Sequence, residues 1–344
     1  SAGYYNLSFN LFKSHYTEMN PESTKRKPLQ DTQASIPEIL VSSLHWPMLL
    51  LGAATVVAGT AAARFRGNME LLPASLCLIF TLISQIAGTY WYNHNEIHWH
   101  GADGEADSRF SRLPRSAVFR EAATGLSSMG GIIGLALIAM AGWWAIVPAV
   151  LLVAVTYLTF SGAHPLSRSP WGLISTFLLF GPVGVIGTCL IQSGHEAYSL
   201  LNFYDVEPSL YIAGIMGLMA LNANLIHNVS NVSVDHRIGK STFPVRFGIS
   251  ATRIFSIVNS LIWAILCWCL FRVQHIADYG VAMIFPCISV VINALLTSRL
   301  RKGCNRHEES LQFTANLNML AMAVVLLIIA FCEGAPDDSA MNFI

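Results

Sequence analysis

Charge is what this sequence has least of. Asp, Glu, Lys and Arg make up 12% of its 344 residues, against 53% hydrophobic, where a soluble domain carries about 25% charged residues. A water-soluble fold of this length has too few charges to cover its surface, and a lipid-facing exterior removes the need. A surplus of basic charge is also missing. The 20 Lys and Arg balance the 20 Asp and Glu, so no net field draws the chain to a polyanion and no nucleic-acid partner is expected. The seven cysteines are scattered, mostly within apolar runs, with Cys267 and Cys269 flanking a tryptophan. That is neither a disulfide framework nor zinc-ligand spacing, and HExxH does not occur. Residues 1–35 lack the apolar core of a secretory signal and carry the basic run Lys25-Arg26-Lys27. They read as a polar cytoplasmic arm along the membrane surface or, equally, as a plain disordered tail.

What is present is a series of charge-poor runs of about 20 residues, each enough to cross roughly 30 Å of hydrocarbon. They fall near 37–63, 70–92, 117–140, 142–161, 171–193, 208–229, 251–271, 275–298 and 312–332. The expectation is an all-α integral membrane bundle of nine transmembrane helices over residues 36–333, with a short tail over 334–344. Residues 93–116, 230–250 and 299–311 are polar connections, and His45-Trp46-Pro47 marks a bend in the first helix. With the N-terminus in the cytoplasm, every Lys and Arg except Arg64, Arg66 and Arg272 falls on the inner side, which is the asymmetry that sets orientation. The location expected is a bacterial inner membrane or the inner membrane of an organelle.

Two polar clusters share that inner side. YNHNEIHWHGADGEADSR, residues 92–109, follows the second span; NANLIHNVSNVSVDHRIGKSTFPVRFG, residues 222–248, follows the sixth. Asn93 and Glu96 are three apart and Asn231 and Asp235 four apart, so each pair shares a helix face. Paired oxygen donors suit a hard cation such as Mg2+, which is bound through one or two carboxylates together with substrate phosphates. Arg109, Arg112, Arg115, Lys240 and Arg246 lie close by in sequence and suit a diphosphate. An alternative uses nitrogen: His94 and His98 are four apart, and with His100, His227 and His236 they would favour Zn, Fe or Mn. The plainest alternative is a pair of hydrated helix ends whose basic residues anchor the inner leaflet.

The ending GKSTFPVRFG resembles the GKxTxxVRxG signature of the UbiA superfamily of intramembrane prenyltransferases, nearest to its dihydroxynaphthoate polyprenyltransferase branch. There the signature follows Asn-Asn-x-Arg-Asp-x-x-x-Asp, and the matching positions are His227, Asn228, Ser230, Asn231 and Asp235. The family's first motif, Asn-Asp-x-x-Asp, is preceded by a glutamine; anchored on Gln85 it places Asn93 and Glu96 at its two aspartates, with an extra residue before Gly101-Ala102-Asp103, whereas a register anchored on Gly101 would put His94 and Ile97 there and lose the oxygen donors. LLFGPVGVIGT, residues 178–188, is similar to the family's FGPxxxxGT helix. In SGAHPLSRSPWG, residues 161–172, the family's acidic residue is missing.

The resemblance implies a prenyltransferase that moves a polyprenyl group from its diphosphate to an aromatic or quinone-precursor acceptor, with Mg2+ as cofactor. Asn93, Glu96, Asp103, Asn231 and Asp235 would hold the metal. Arg109, Arg115, His227, Asn228, Lys240 and Arg246 would contact substrate. The two motif pairs carry two carboxylates where the family has four. That weakens the expected metal grip and opens the competing reading, an inactive homologue that binds a quinone or isoprenoid lipid or serves as a membrane subunit of a complex.

Overall fold

A computed structural model of the chain describes residues 36–44, 46–99, 115–160, 165–194, 203–237, 239–300 and 305–333. Among them the elements are helices throughout. In order these are α1 (Ile36–Ser42), α2 (Trp46–Phe65), α3 (Leu71–Trp99), α4 (Arg115–Ala141) and α5 (Ile146–Phe160). There follow α6 (Gly172–Leu178), a π-helical segment (Leu179–Ile186), α7 (Gly187–Ser193), α8 (Phe203–Ser230) and α9 (Val232–Arg237). The last are α10 (Phe243–Val273), α11 (Tyr279–Ala282), α12 (Ile284–Arg299) and α13 (Asn305–Cys332). The predicted all-α membrane architecture is the one observed. Eight helical stretches are long and apolar enough to cross a bilayer. The remaining expected span is α5, of 15 residues, preceded by a 3-10 turn at Trp143–Ala145. Helix and turn together rise about 28 Å, close to the thickness of the hydrocarbon core.

The chain divides into two compact units. In the unit formed by Ser1–His45 and Ile86–Ser127, Ile39, Tyr90, Phe119 and Ala123 make the core. Tyr90 Oη donates to the Leu40 carbonyl at 3.2 Å and Trp91 Nε1 to Ser127 Oγ at 3.2 Å. The rest of the chain is the second unit. Its centre is α8, most of whose apolar length is buried. Around it Ala54, Ala58, Ala61, Ala62 and Ala63 of α2 are buried in one cluster with Met319, Met322 and Ala323 of α13. Small residues let helices approach where lipid offers no hydrophobic drive to associate.

Polar side chains inside this unit are mostly paired with each other, as a low-dielectric interior demands. Asn222 Nδ2 donates to the Ser256 carbonyl at 3.1 Å, and Asn293 Nδ2 to Ser256 Oγ at 3.1 Å and Ser260 Oγ at 2.5 Å. These bonds tie α8, α10 and α12 together. The π-helical segment follows from Pro182, which lacks an N–H and crowds the carbonyl four residues earlier. Thr55 Oγ1 donates to the Phe180 carbonyl at 3.2 Å, satisfying a group within that irregular stretch. Gly181 sits where a side chain would collide with backbone: an added Cβ would lie 2.5 Å from the Ala213 carbonyl oxygen and 2.9 Å from Gly217 Cα.

Three local expectations change. The connection over 230–250 is not a loop: it holds α9 and the first turns of α10, with non-helical backbone at Gly248 (φ 82°). The run 275–298 is split between α11 and α12 at Met283. The bend at His45-Trp46-Pro47 takes the form of a helix end at Ser42 and a fresh start at Trp46; His45 itself lies outside the described residues. Gly181→Val should lower the thermal unfolding midpoint in detergent by roughly 5–10 °C, because backbone on both sides cannot yield. Gly131→Ala, with nothing within 4 Å of the added methyl, should leave the midpoint unchanged or raise it slightly.

Candidate active site at the end of helix α8

Helix α8 ends at Ser230, and Asn231 links it to α9. The Asp235 N–H donates to the Asn231 carbonyl at 2.8 Å, so the four-residue spacing survives the helix break and keeps both side chains on one turn. The chain then reverses through Gly239 (φ 71°), where a left-handed backbone favours glycine. The reversal brings the next residues back onto Asp235. The Lys240 N–H donates to the Asp235 carbonyl at 2.8 Å, and Thr242 Oγ1 donates to Asp235 Oδ2 at 3.2 Å. Ser241 N–H reaches the Arg168 carbonyl at 2.8 Å, which anchors the loop to the 3-10 turn Leu166–Arg168. Pro244 then opens α10 at its first turn, the helical position where the missing N–H costs least. The sequence GKSTFP thus builds a bracket around a carboxylate.

Asp235 is 6% exposed and Lys240 7%. Arg246 is exposed, its guanidinium carbon 5.6 Å from the Phe247 ring centroid. Asn228 and Asn231 are half-buried. His227, expected at the substrate, is engaged within the protein: Nδ1 lies 3.2 Å from Gln312 Oε1 and Nε2 3.2 Å from Asn231 Nδ2. Asn231 Nδ2 also donates to the His227 carbonyl at 3.2 Å. Gln312 in turn gives its amide hydrogen to Met48 Sδ at 3.6 Å. A chain of contacts therefore runs from α2 through α13 to the end of α8.

Gln312 and Thr242 were not among the expected site residues. Thr242 lies inside the signature itself. Gln312 had one sequence signal, that it and Asn316 stand four apart in an apolar span, and amides in such a span face the protein interior. In the other unit, Asn93 is half-buried on α3, and the neighbouring His94 Nδ1 donates to the Ser116 carbonyl at 2.9 Å. Glu96 and His98 are on the same helix, with side chains outside the described set, as is that of Arg115 at the start of α4. Asp103, Arg109 and His100 lie outside the described residues.

Among the described residues no three His, Cys, Asp or Glu side chains gather at one point. The turn after α8 has a different donor set, one bracketed carboxylate and one amide whose two hydrogens are both spent on His227. Hard oxygen donors of that number fit Mg2+ completed by phosphate oxygens. They do not fit a zinc-type site, and the nitrogens of His227 face Gln312 and Asn231 instead.

Comparison with known proteins agrees in fold and in sequence. The chain is 29% identical over 209 residues to 1,4-dihydroxy-2-naphthoate octaprenyltransferase of Mycobacterium tuberculosis, a match covering 58% of this chain and 66% of that protein. It is 24% identical over 200 residues to the protein of the same name from Bacillus subtilis, covering 56% and 60%. These matches span just under two thirds of the relatives' own length. A UbiA homologue from Aeropyrum pernix K1 superposes with a TM-score of 0.61 at 17% identity, covering 81% of this chain and 97% of that one. A structure of digeranylgeranylglyceryl phosphate synthase gives 0.57 at 16%, covering 86% and 99%. The model of the UbiA prenyltransferase family matches residues 50–320, a stretch that takes in both polar clusters and the bracketed aspartate, and the chain belongs to that family.

Proposed function

We propose that the chain is a membrane prenyltransferase that moves a polyprenyl group from its diphosphate to an aromatic acceptor of the dihydroxynaphthoate type. The observation that carries this reading is the bracket at the end of α8, where Asp235 is held by Thr242 and Asn231 stands on the same turn. The names of the curated relatives support the acceptor class.

Asp235 and Asn231 would hold Mg2+ against the diphosphate. Bound there, the metal would supply positive charge to the departing diphosphate oxygens. Lys240 and Arg246, which follow on the same connection, would add fixed positive charge to that leaving group. The allylic carbon–oxygen bond breaks, diphosphate leaves with the electron pair, and the allylic cation is attacked by an electron-rich ring carbon. A new carbon–carbon bond forms, and the attacked carbon loses a proton, or carbon dioxide where it carries a carboxylate, to recover aromaticity. The apolar prenyl chain would lie among apolar helices, and on this reading the N-terminus and the end of α8 face the cytoplasm.

Purified protein in liposomes, given labelled polyprenyl diphosphate, dihydroxynaphthoate and Mg2+, should form prenylated product. Asp235→Ala should reduce the rate on the order of a hundredfold. Absence of product with every acceptor tried, together with diphosphate binding that ignores metal, would favour the inactive lipid-binding homologue. Thr242→Val, which keeps the side chain's shape, should weaken metal affinity by about tenfold, because the carboxylate loses the hydroxyl that orients it; a metal titration of the activity measures this.

A further inference from the structure

At position 227 the family pattern has asparagine and this chain has histidine; at 231 the pattern has aspartate and this chain has asparagine. The hydrogen bonds connect the two departures. A backbone carbonyl can only accept, so the Asn231 atom 3.2 Å from the His227 carbonyl is the amide nitrogen. That same nitrogen lies 3.2 Å from His227 Nε2, so Nε2 is the ring's lone-pair nitrogen and accepts the second amide hydrogen. The ring proton is then on Nδ1, where Gln312 Oε1 receives it at 3.2 Å. Gln312 cannot reverse its amide without cost, because its nitrogen is the group that donates to Met48 Sδ. With both hydrogens committed, Oδ1 is the Asn231 atom turned away from His227, on the turn that Asp235 shares.

We propose that His227, locked by Gln312, is a positioning residue that fixes the Asn231 amide with its oxygen, not its nitrogen, toward the cation. This rests on the reading that Asn231 and Asp235 hold a metal. An aspartate needs no such device, since both its oxygens can ligate. An asparagine offers one ligating atom and one cation-repelling NH2, and the two exchange by a half-turn of a soft torsion. A partner that accepts from the NH2 group removes the wrong half. Histidine at 227 thus compensates in orientation for part of what the amide gives up in charge.

The test is a double-mutant cycle read by Mn2+ affinity, from electron paramagnetic resonance titration of the liposome-reconstituted chain with inorganic diphosphate present. His227→Phe keeps the ring's bulk and removes the acceptor; it should weaken Mn2+ binding about tenfold or more. In the Asn231→Asp background the same change should cost less than about twofold, because the carboxylate is symmetric. Gln312→Leu, which frees the ring without touching α8, should act like His227→Phe but more weakly. His227→Gln, which can still accept from Asn231, should retain most of the affinity. Equal losses from His227→Phe in both backgrounds, or no loss in either, would overturn the orienting role while leaving the metal site intact. A wild-type chain that binds no Mn2+ with diphosphate would instead remove the metal reading, and this inference with it.

Discussion

In a low-charge, lipid-embedded chain, a polar side chain must be satisfied by the protein or face water and ligand. That constraint governs where function can sit. Through most of the second unit the answer is pairing: Asn222, Ser256, Ser260 and Asn293 occupy one another between three helices. At the end of α8 the pattern changes. His227 and Thr242 hold Asn231 and Asp235 in place, and Gln312 holds His227. Side chains fixed in this way at a helix end give the proposed cation site a preset geometry.

The local backbone serves the same end. Breaking the helix after Ser230 and restarting it at Val232 lets Asn231 and Asp235 keep their one-turn relation while the chain reverses at Gly239. The reversal supplies Thr242 and Lys240 to the turn just made, and the Ser241 bond to the Arg168 carbonyl fixes the loop from outside. Proline at the start of α10 then commits the chain to leave as a new helix. The signature residues are therefore structural and chemical together. Glycine permits the reversal, threonine orients the carboxylate, and the lysine and arginine bring charge.

The transmembrane architecture was legible because uninterrupted apolar runs leave few alternatives, and the spacing of Asn231 and Asp235 was legible because four residues make a helical turn. The polar connection over 230–250 gave no sign of its inner structure, since its charges and glycines hide a six-residue helix and the true start of α10. The α11–α12 break has no charged residue to announce it. His227 was legible as a candidate substrate contact, but its bond to Gln312 was not, because Gln312 is 85 residues away in sequence. No local pattern carries such a contact; it appears only when α13 packs beside α8.

The central claim is that the turn after α8 grips a divalent cation and, through it, a prenyl diphosphate. Its most direct measurement is an experimental structure of the chain with Mn2+ and a non-hydrolysable prenyl diphosphate analogue, with the metal located by anomalous scattering. The account predicts an anomalous peak bonded to an Asp235 carboxylate oxygen and to Asn231 Oδ1, with diphosphate oxygens completing its shell. A peak elsewhere, or diphosphate bound with the Asn231 nitrogen turned toward it, would contradict the account.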